Sequence, residues 1–130
     1  MSADTCVLVV DDEQLIALSL RMTLEEMGIK VCGMAATADK AVELARLHRP
    51  TIVLMDVRLR GQSDGVDAAL EIHRILGSSV IFITGSREPE TVERIHQDHP
   101  ADILFKPILP VHLREAIKKV RQREDDRTLA

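Results

Sequence analysis

The chain has 130 residues, 45% of them apolar and 29% charged, with a formal net charge of −4; this is the balance of one folded domain, not of a disordered segment. It has no Trp or Tyr, only Phe82 and Phe105 as aromatics, and no block of Lys and Arg, which argues against direct nucleic-acid binding through stacking or a cationic surface. No apolar stretch approaches about 18 residues, which excludes a membrane-spanning helix, and Met1 to Thr5 lack the basic start of a signal peptide, so a cytoplasmic location is expected.

The first apolar run, Val7 to Val10, reads as a strand and ends on Asp11 and Asp12. Ile16, Leu20, Leu24 and Met27 then mark one helical face, with Gly28 as its stop. A second strand, Val31 to Ala35, precedes a helix bearing Ala41, Leu44, Ala45 and His48, which Pro50 ends. Cys6 and Cys32 fall in these first two runs and are expected as free thiols acting as small hydrophobes. The third run, Ile52 to Met55, ends on Asp56, and a loop from Arg60 to Gly65 leads to a helix with Val66, Leu70 and Ile75 or Leu76. Val80 to Ile83 ends on Thr84. The spacing predicts a fourth helix over Ser86–Gln97, with Pro89 and acids in its first turn and a thin apolar face of Val92 and Ile95. Ile103 to Phe105 ends on Lys106-Pro107, and a last helix from Pro110 carries Leu113, Ala116, Ile117 and Val120. The mixed-charge segment from Arg121 is expected to fray. The expected division is thus a folded body over 5–122 and a polar tail over 123–130, with no output domain.

Apolar runs without alternation are strands buried on both faces, as in a parallel sheet covered by helices. Strand and helix alternate five times, the pattern of a doubly wound α/β domain. Strand order 2-1-3-4-5 places the first and third strands side by side and brings Asp11, Asp12 and Asp56 together at the switch point, where ligands of such sheets bind. Each pair of like charges at 4 Å repels by about 4 kcal/mol at an effective dielectric near 20, so the trio needs neutralising. Three carboxylates and Lys106 sum to −2, which one divalent cation matches, and hard oxygen ligands suit Mg²⁺. A carboxylate can attack phosphorus to form an acyl phosphate when a metal and a cation offset the charge. Asp56 is the candidate nucleophile, Asp11 and Asp12 the metal pair, and Thr84 and Lys106 the phosphoryl contacts. Any single Asp at such a place is more simply a loop or helix cap; the four strand ends taken together are not.

With Val-Val-Asp11-Asp12-Glu13, Val-Leu-Met-Asp56, Asp64-Gly65, Ile-Thr84-Gly85 and Phe105-Lys106-Pro107 in this order and spacing, the chain resembles the receiver (REC) domain of two-component response regulators over about residues 5 to 122. The resemblance implies a flavodoxin-like three-layer α/β/α sandwich. It implies that Asp56 is phosphorylated by a histidine kinase or a histidine phosphotransfer protein, and that Asp11, Asp12, Asp56 and the backbone carbonyl of Arg58 hold Mg²⁺. It further implies that Thr84 and Lys106 contact the phosphoryl group, that the bond before Pro107 is cis, and that Arg58, Gly85 and Ser86 flank the site and tune its hydrolysis. An effector protein and homodimerisation on phosphorylation complete the expected partners, with no nucleic acid and no membrane. No catalysis beyond Mg²⁺-dependent autophosphorylation and autodephosphorylation is expected.

The chain also departs from that family. Ile103 stands where an aromatic usually lies three residues before the Lys, as in single-domain receivers lacking the switch aromatic, and Phe82-Ile-Thr-Gly85 is similar to the Phe-Ala-Thr-Gly variant of some of these. Phe105, two residues on and on the same strand face, can take part of the switch role, although core packing is its simpler use. Leu59-Arg60 replaces the usual Met-Pro, and the loop to Asp64 is one residue longer. The leading function is a phosphorylation-switched protein-binding surface; the alternative is a phosphate sink or relay intermediate without an effector surface. A Mg²⁺ phosphatase with an aspartyl intermediate is disfavoured because no Asp-x-Asp follows the first strand. The five histidines are scattered, and only His96 and His99 have a helical spacing suited to shared ligation; surface positions are expected.

Overall fold

The computed structural model describes residues 5–129, with side chains through Asp126. Met1–Asp4 and Ala130, which belong to the N-terminal segment and the polar tail read above, lie outside the described residues. Five strands, β1 (Cys6–Val10), β2 (Lys30–Ala35), β3 (Ile52–Asp56), β4 (Ser79–Thr84) and β5 (Asp102–Phe105), alternate with five helices. These are α1 (Gln14–Glu26), α2 (Ala38–His48), α3 (Gly65–Leu76), α4 (Pro89–Gln97) and α5 (Pro110–Leu129). All strand pairs are parallel and the sheet order is β2-β1-β3-β4-β5.

The absence of alternation in the apolar runs is explained by two cores, one on each face of the sheet. Leu8, Val10, Val53, Met55, Val80 and Phe82 point to one side, where they meet Ala41, Ala45, Ala69, Ile72 and Ile95 of α2, α3 and α4. Val7, Val9, Ile52, Leu54, Ile81 and Ile83 point to the other, against Ala17, Leu20 and Leu24 of α1 and Leu113, Ile117 and Val120 of α5. Successive strand residues thus enter opposite cores, and each is fully buried. The result is the three-layer α/β/α sandwich.

Helix ends follow local chemistry. Thr37 accepts from the Lys40 N–H to cap α2, and Asp64 and Asp67 form a reciprocal capping box at the start of α3. Two ends differ from the sequence expectation. The fourth helix starts at Pro89, not Ser86, because the Ser86 N–H donates to the Thr84 hydroxyl at 3.0 Å and the Glu88 N–H to the Ser86 hydroxyl at 3.2 Å. Those side chains satisfy the backbone without a helical turn. The fifth helix does not fray after Val120 but continues to Leu129. The Ser79 hydroxyl donates to Glu124, and Arg123 donates to the Ala101 carbonyl at 2.8 Å, so polar contacts hold the last turns after the apolar stripe ends.

One buried polar pair was invisible to sequence reasoning. Asp98, only 4% exposed, hydrogen-bonds His73 Nδ1 at 3.0 Å, and its other oxygen has no hydrogen-bond partner among the described residues. His73 therefore ties α3 to the end of α4 instead of lying free on the surface. Removing it strands a buried carboxyl group, so His73→Ala is expected to lower the free energy of unfolding by about 2 kcal/mol in urea titrations. A loss below a few tenths of a kcal/mol would show the pair to be idle.

Candidate functional site

β1 and β3 are neighbours with Val10 opposite Met55, so the residues that follow, Asp11 and Asp56, lie side by side at the edge of the sheet. Both are 3% exposed, and Asp12 is half-buried. One oxygen from each of Asp11, Asp12 and Asp56 lies within 4.8 Å of the others. The Asp11 N–H donates to the Ala35 carbonyl at 3.0 Å, which anchors the end of β1 against β2. Asp11 Oδ1 accepts from the Glu13 N–H at 2.9 Å, whereas its buried Oδ2 has no hydrogen-bond partner among the described residues.

The other half of the site comes from β4 and β5. Thr84 pairs with Phe105 across the ladder, and the Lys106 N–H donates to the Thr84 carbonyl at 2.8 Å. The Lys106 ammonium thereby reaches Asp56 Oδ2 at 3.2 Å, Asp11 Oδ2 at 3.5 Å and Glu13 Oε1 at 3.8 Å. The Lys106–Pro107 peptide is cis.

The electrostatics reflect this crowding. Burial, then the charge of Asp11, pushes the Asp56 carboxyl up to about 7 against the opposing pull of Lys106. Burial alone would lower Lys106, but the charges of Asp56 and Asp11 outweigh it and hold the ammonium above its usual range. An all-oxygen donor set, a net deficit of positive charge and a buried Asp11 Oδ2 that accepts no hydrogen bond among the described residues fit a hard divalent ion such as Mg²⁺.

The cleft above the carboxylates is walled by Arg58, Thr84, Gly85, Ser86, Arg87 and Lys106. Arg58 and Gly85 are exposed, Ser86 is half-buried and Thr84 is 2% exposed. Ile103 is half-buried and packs against the core beneath α2, α3 and α4. Phe105 joins neither core, contrary to the packing role expected for it. It is half-buried at the end of β5, and the Arg87 guanidinium lies over its ring, 4.1 Å from the centroid.

One feature of the surroundings had no sequence signal. Arg94 of α4 forks onto Asp64 at 2.7 and 3.3 Å and reaches Asp67 at 3.6 Å, clamping α4 to the start of α3. Burial raises the Asp64 carboxyl, yet the Arg94 hydrogen bond and the Asp67 N–H hold it below the usual carboxylate range. Glu13 completes the acidic rim. The Asp12-Glu13 pairing in sequence was its only hint.

This geometry agrees with the family model of the response regulator receiver domain, which matches residues 7–118. The chain belongs to that family. The receiver is 38% identical over 101 residues to the transcriptional regulatory protein PdtaR of Mycobacterium tuberculosis, a match covering 78% of this chain and 49% of the relative. It is 34% identical over 116 residues to the phyllosphere-induced regulator PhyR of Methylorubrum extorquens, covering 88% and 43% respectively. The receiver thus spans about half the length of these curated relatives. Among solved structures it is similar to the signal receiver domain of a modulated diguanylate cyclase from Desulfovibrio desulfuricans G20. There the TM-score is 0.85 at 34% identity, over 93% of this chain and 97% of that one. A CheY-like receiver domain protein from Methanospirillum hungatei JF-1 matches with a TM-score of 0.81 at 28% identity, over 94% and 98%. No helix among the receiver's described residues is long and apolar enough to cross a membrane.

Proposed function

We propose that this receiver is the phosphoacceptor of a two-component phosphorelay and that Asp56 takes a phosphoryl group from a histidine kinase or a histidine phosphotransfer protein. The observation that carries this reading is the convergence of three carboxylates within 4.8 Å, with the Lys106 ammonium 3.2 Å from Asp56. Asp11, Asp12, Asp56 and the main-chain carbonyl of Arg58 would hold Mg²⁺, which when bound offsets the charge of the carboxylates and of the phosphoryl oxygens.

Ionised Asp56 attacks phosphorus through a carboxylate oxygen; the phosphorus–nitrogen bond to the donor imidazole breaks, and that nitrogen keeps the electron pair. Lys106 passes from Asp56 to the phosphoryl group, and the Thr84 hydroxyl exchanges its contact with the Ser86 backbone for a phosphoryl oxygen. That exchange frees the β4–α4 loop and shifts an equilibrium between two arrangements of the α4–β5 surface. An effector protein or a second copy of the chain binds the altered surface. In this reading the domain works in the cytoplasm and catalyses only its own phosphorylation and dephosphorylation.

Incubation with a small acyl phosphate donor and Mg²⁺ is expected to label the wild type and not Asp56→Asn, followed by size and partner-binding assays on the labelled protein. Label retained in Asp56→Asn would remove Asp56 as the acceptor. Rapid loss of label with no phosphorylation-dependent binding would favour the sink or relay over the switch.

A further inference from the structure

The receiver reading leaves one cation of the cleft without a task. Arg87 lies in the β4–α4 loop, three residues past Thr84, and walls the same cleft as Asp56 and Lys106. Among the described residues no carboxylate lies within ion-pair distance of it; its guanidinium rests on the Phe105 ring, 4.1 Å from the centroid. A guanidinium stacked on a ring face keeps the N–H groups at its edge free to donate in a fixed plane. Lys106, by contrast, is already shared among three acids.

Charge requires a second cation once phosphate arrives. Asp11, Asp12, Glu13 and Asp56 contribute −4, Lys106 +1 and a divalent ion +2, leaving −1, and the exposed Arg58 and Glu88 of the cleft wall cancel each other. Converting the Asp56 carboxylate to its acyl phosphate replaces a charge of −1 by −2, so the deficit doubles. Arg87 is placed to meet it. Thr84 and Phe105 are ladder partners, so the start of the loop, the ring and Lys106 occupy one corner of the sheet. The loop itself is held in part by the hydroxyls of Thr84 and Ser86, one of which the phosphoryl group would recruit. An exposed cation–π contact is weaker than a forked pair with a doubly charged oxyanion, so the exchange of partners is favourable.

We infer that Arg87 is a phosphoryl ligand of this receiver, stored on the Phe105 ring in the unphosphorylated state and transferred to the phosphoryl oxygens on Asp56. Its departure uncovers Phe105, which then presents an aromatic at the β5 edge where Ile103 presents none. The inference rests on Asp56 being the phosphoacceptor.

The test uses beryllofluoride with Mg²⁺ as the phosphoryl mimic on the full chain, with the Arg87 Nε resonance assigned by its loss in Arg87→Ala. Arg87→Ala, at an exposed loop position, is expected to weaken beryllofluoride binding about tenfold, with no fall in Mg²⁺ affinity measured without beryllofluoride. Arg87→Lys should lie between the two, Phe105→Leu should bind at least as well as wild type, and the Nε resonance should move on saturation. Binding by Arg87→Ala within twofold of wild type would overturn the inference, as would an unmoved Nε resonance. Equal weakening by Phe105→Leu and Arg87→Ala would also overturn it, by reducing the pair to loop packing. Asp56→Asn separates the two levels: it should not bind beryllofluoride at all, and binding there would sink the receiver reading whatever Arg87 does.

Discussion

In the absence of divalent cations the fold is expected to lose stability as pH rises from about 4 to about 7, and Mg²⁺ is expected to restore it. The sign follows from proton counts. The Asp56 carboxyl is pushed from 3.8 up to about 7 by burial and by Asp11, so between those values the native state binds more protons than the unfolded chain. The free energy of unfolding then falls with pH across that window. A displacement of this size corresponds to at most about 4 kcal/mol. Lys106 does not reverse the slope. Its raised value keeps it charged throughout the window, and the stability it contributes is lost only as pH rises through its folded value, far above 7. Asp64 is held below its usual value, so its contribution is lost only at still lower pH. Asp56→Asn should flatten the profile between pH 4 and 7, raise metal-free stability near pH 7, and blunt the response to Mg²⁺. Urea unfolding in chelator and in Mg²⁺, for both proteins, measures all three effects. A wild-type profile flat in pH and indifferent to Mg²⁺ would show that the three carboxylates are not crowded in solution.

The parts of this site that were legible in the chain are those fixed by strand ends. Asp11, Asp56, Thr84 and Lys106 each terminate an apolar run, and a parallel sheet delivers all strand ends of that polarity to one edge. The order of strands then decided which of them meet. Phe105 shows where the same logic stops. Alternation put it on a face with Ile103, but of the two only Ile103 packs against the core, and Arg87 instead approaches the Phe105 ring from a loop. The other misses share that character. The His73–Asp98 pair, the Arg94 fork on Asp64 and the Ser79–Glu124 contact join polar groups 25, 30 and 45 residues apart. Such pairs have no period. The late start of α4 is different again, because Thr84 and Ser86 hydroxyls compete with the backbone for the same N–H groups, and composition does not say which wins.

Gly65→Ala is expected to damage both stability and phosphorylation, although Gly65 lies in the ordinary helical first turn of α3 and carries no charge. A Cβ there would lie 2.0 Å from the Asp56 carbonyl oxygen, 2.9 Å from its carbonyl carbon and 3.0 Å from Met55 Cγ. The obstacle is backbone, and that backbone is pinned: Asp56 pairs with Ile83 in the ladder, and the Val57 N–H donates to the Ile83 carbonyl at 3.1 Å. The start of α3 is pinned in turn, since the Gly65 N–H donates to the Val57 carbonyl at 2.7 Å. Either β3 or α3 must give way, at a cost of about 3 kcal/mol or more in unfolding free energy. If β3 yields, Asp56 moves relative to Asp11 and Lys106, and a displacement near 1 Å slows phosphoryl transfer by roughly a hundredfold. Gly85→Ala is the matched control for stability, because a Cβ at that position meets nothing within 4 Å. Urea midpoints for the two variants, with labelling rates of the folded fraction of Gly65→Ala, test the argument. A Gly65→Ala protein as stable as Gly85→Ala would mean that the Asp56 carbonyl and the first turn of α3 are not in contact, and that Asp56 is positioned by the strand alone.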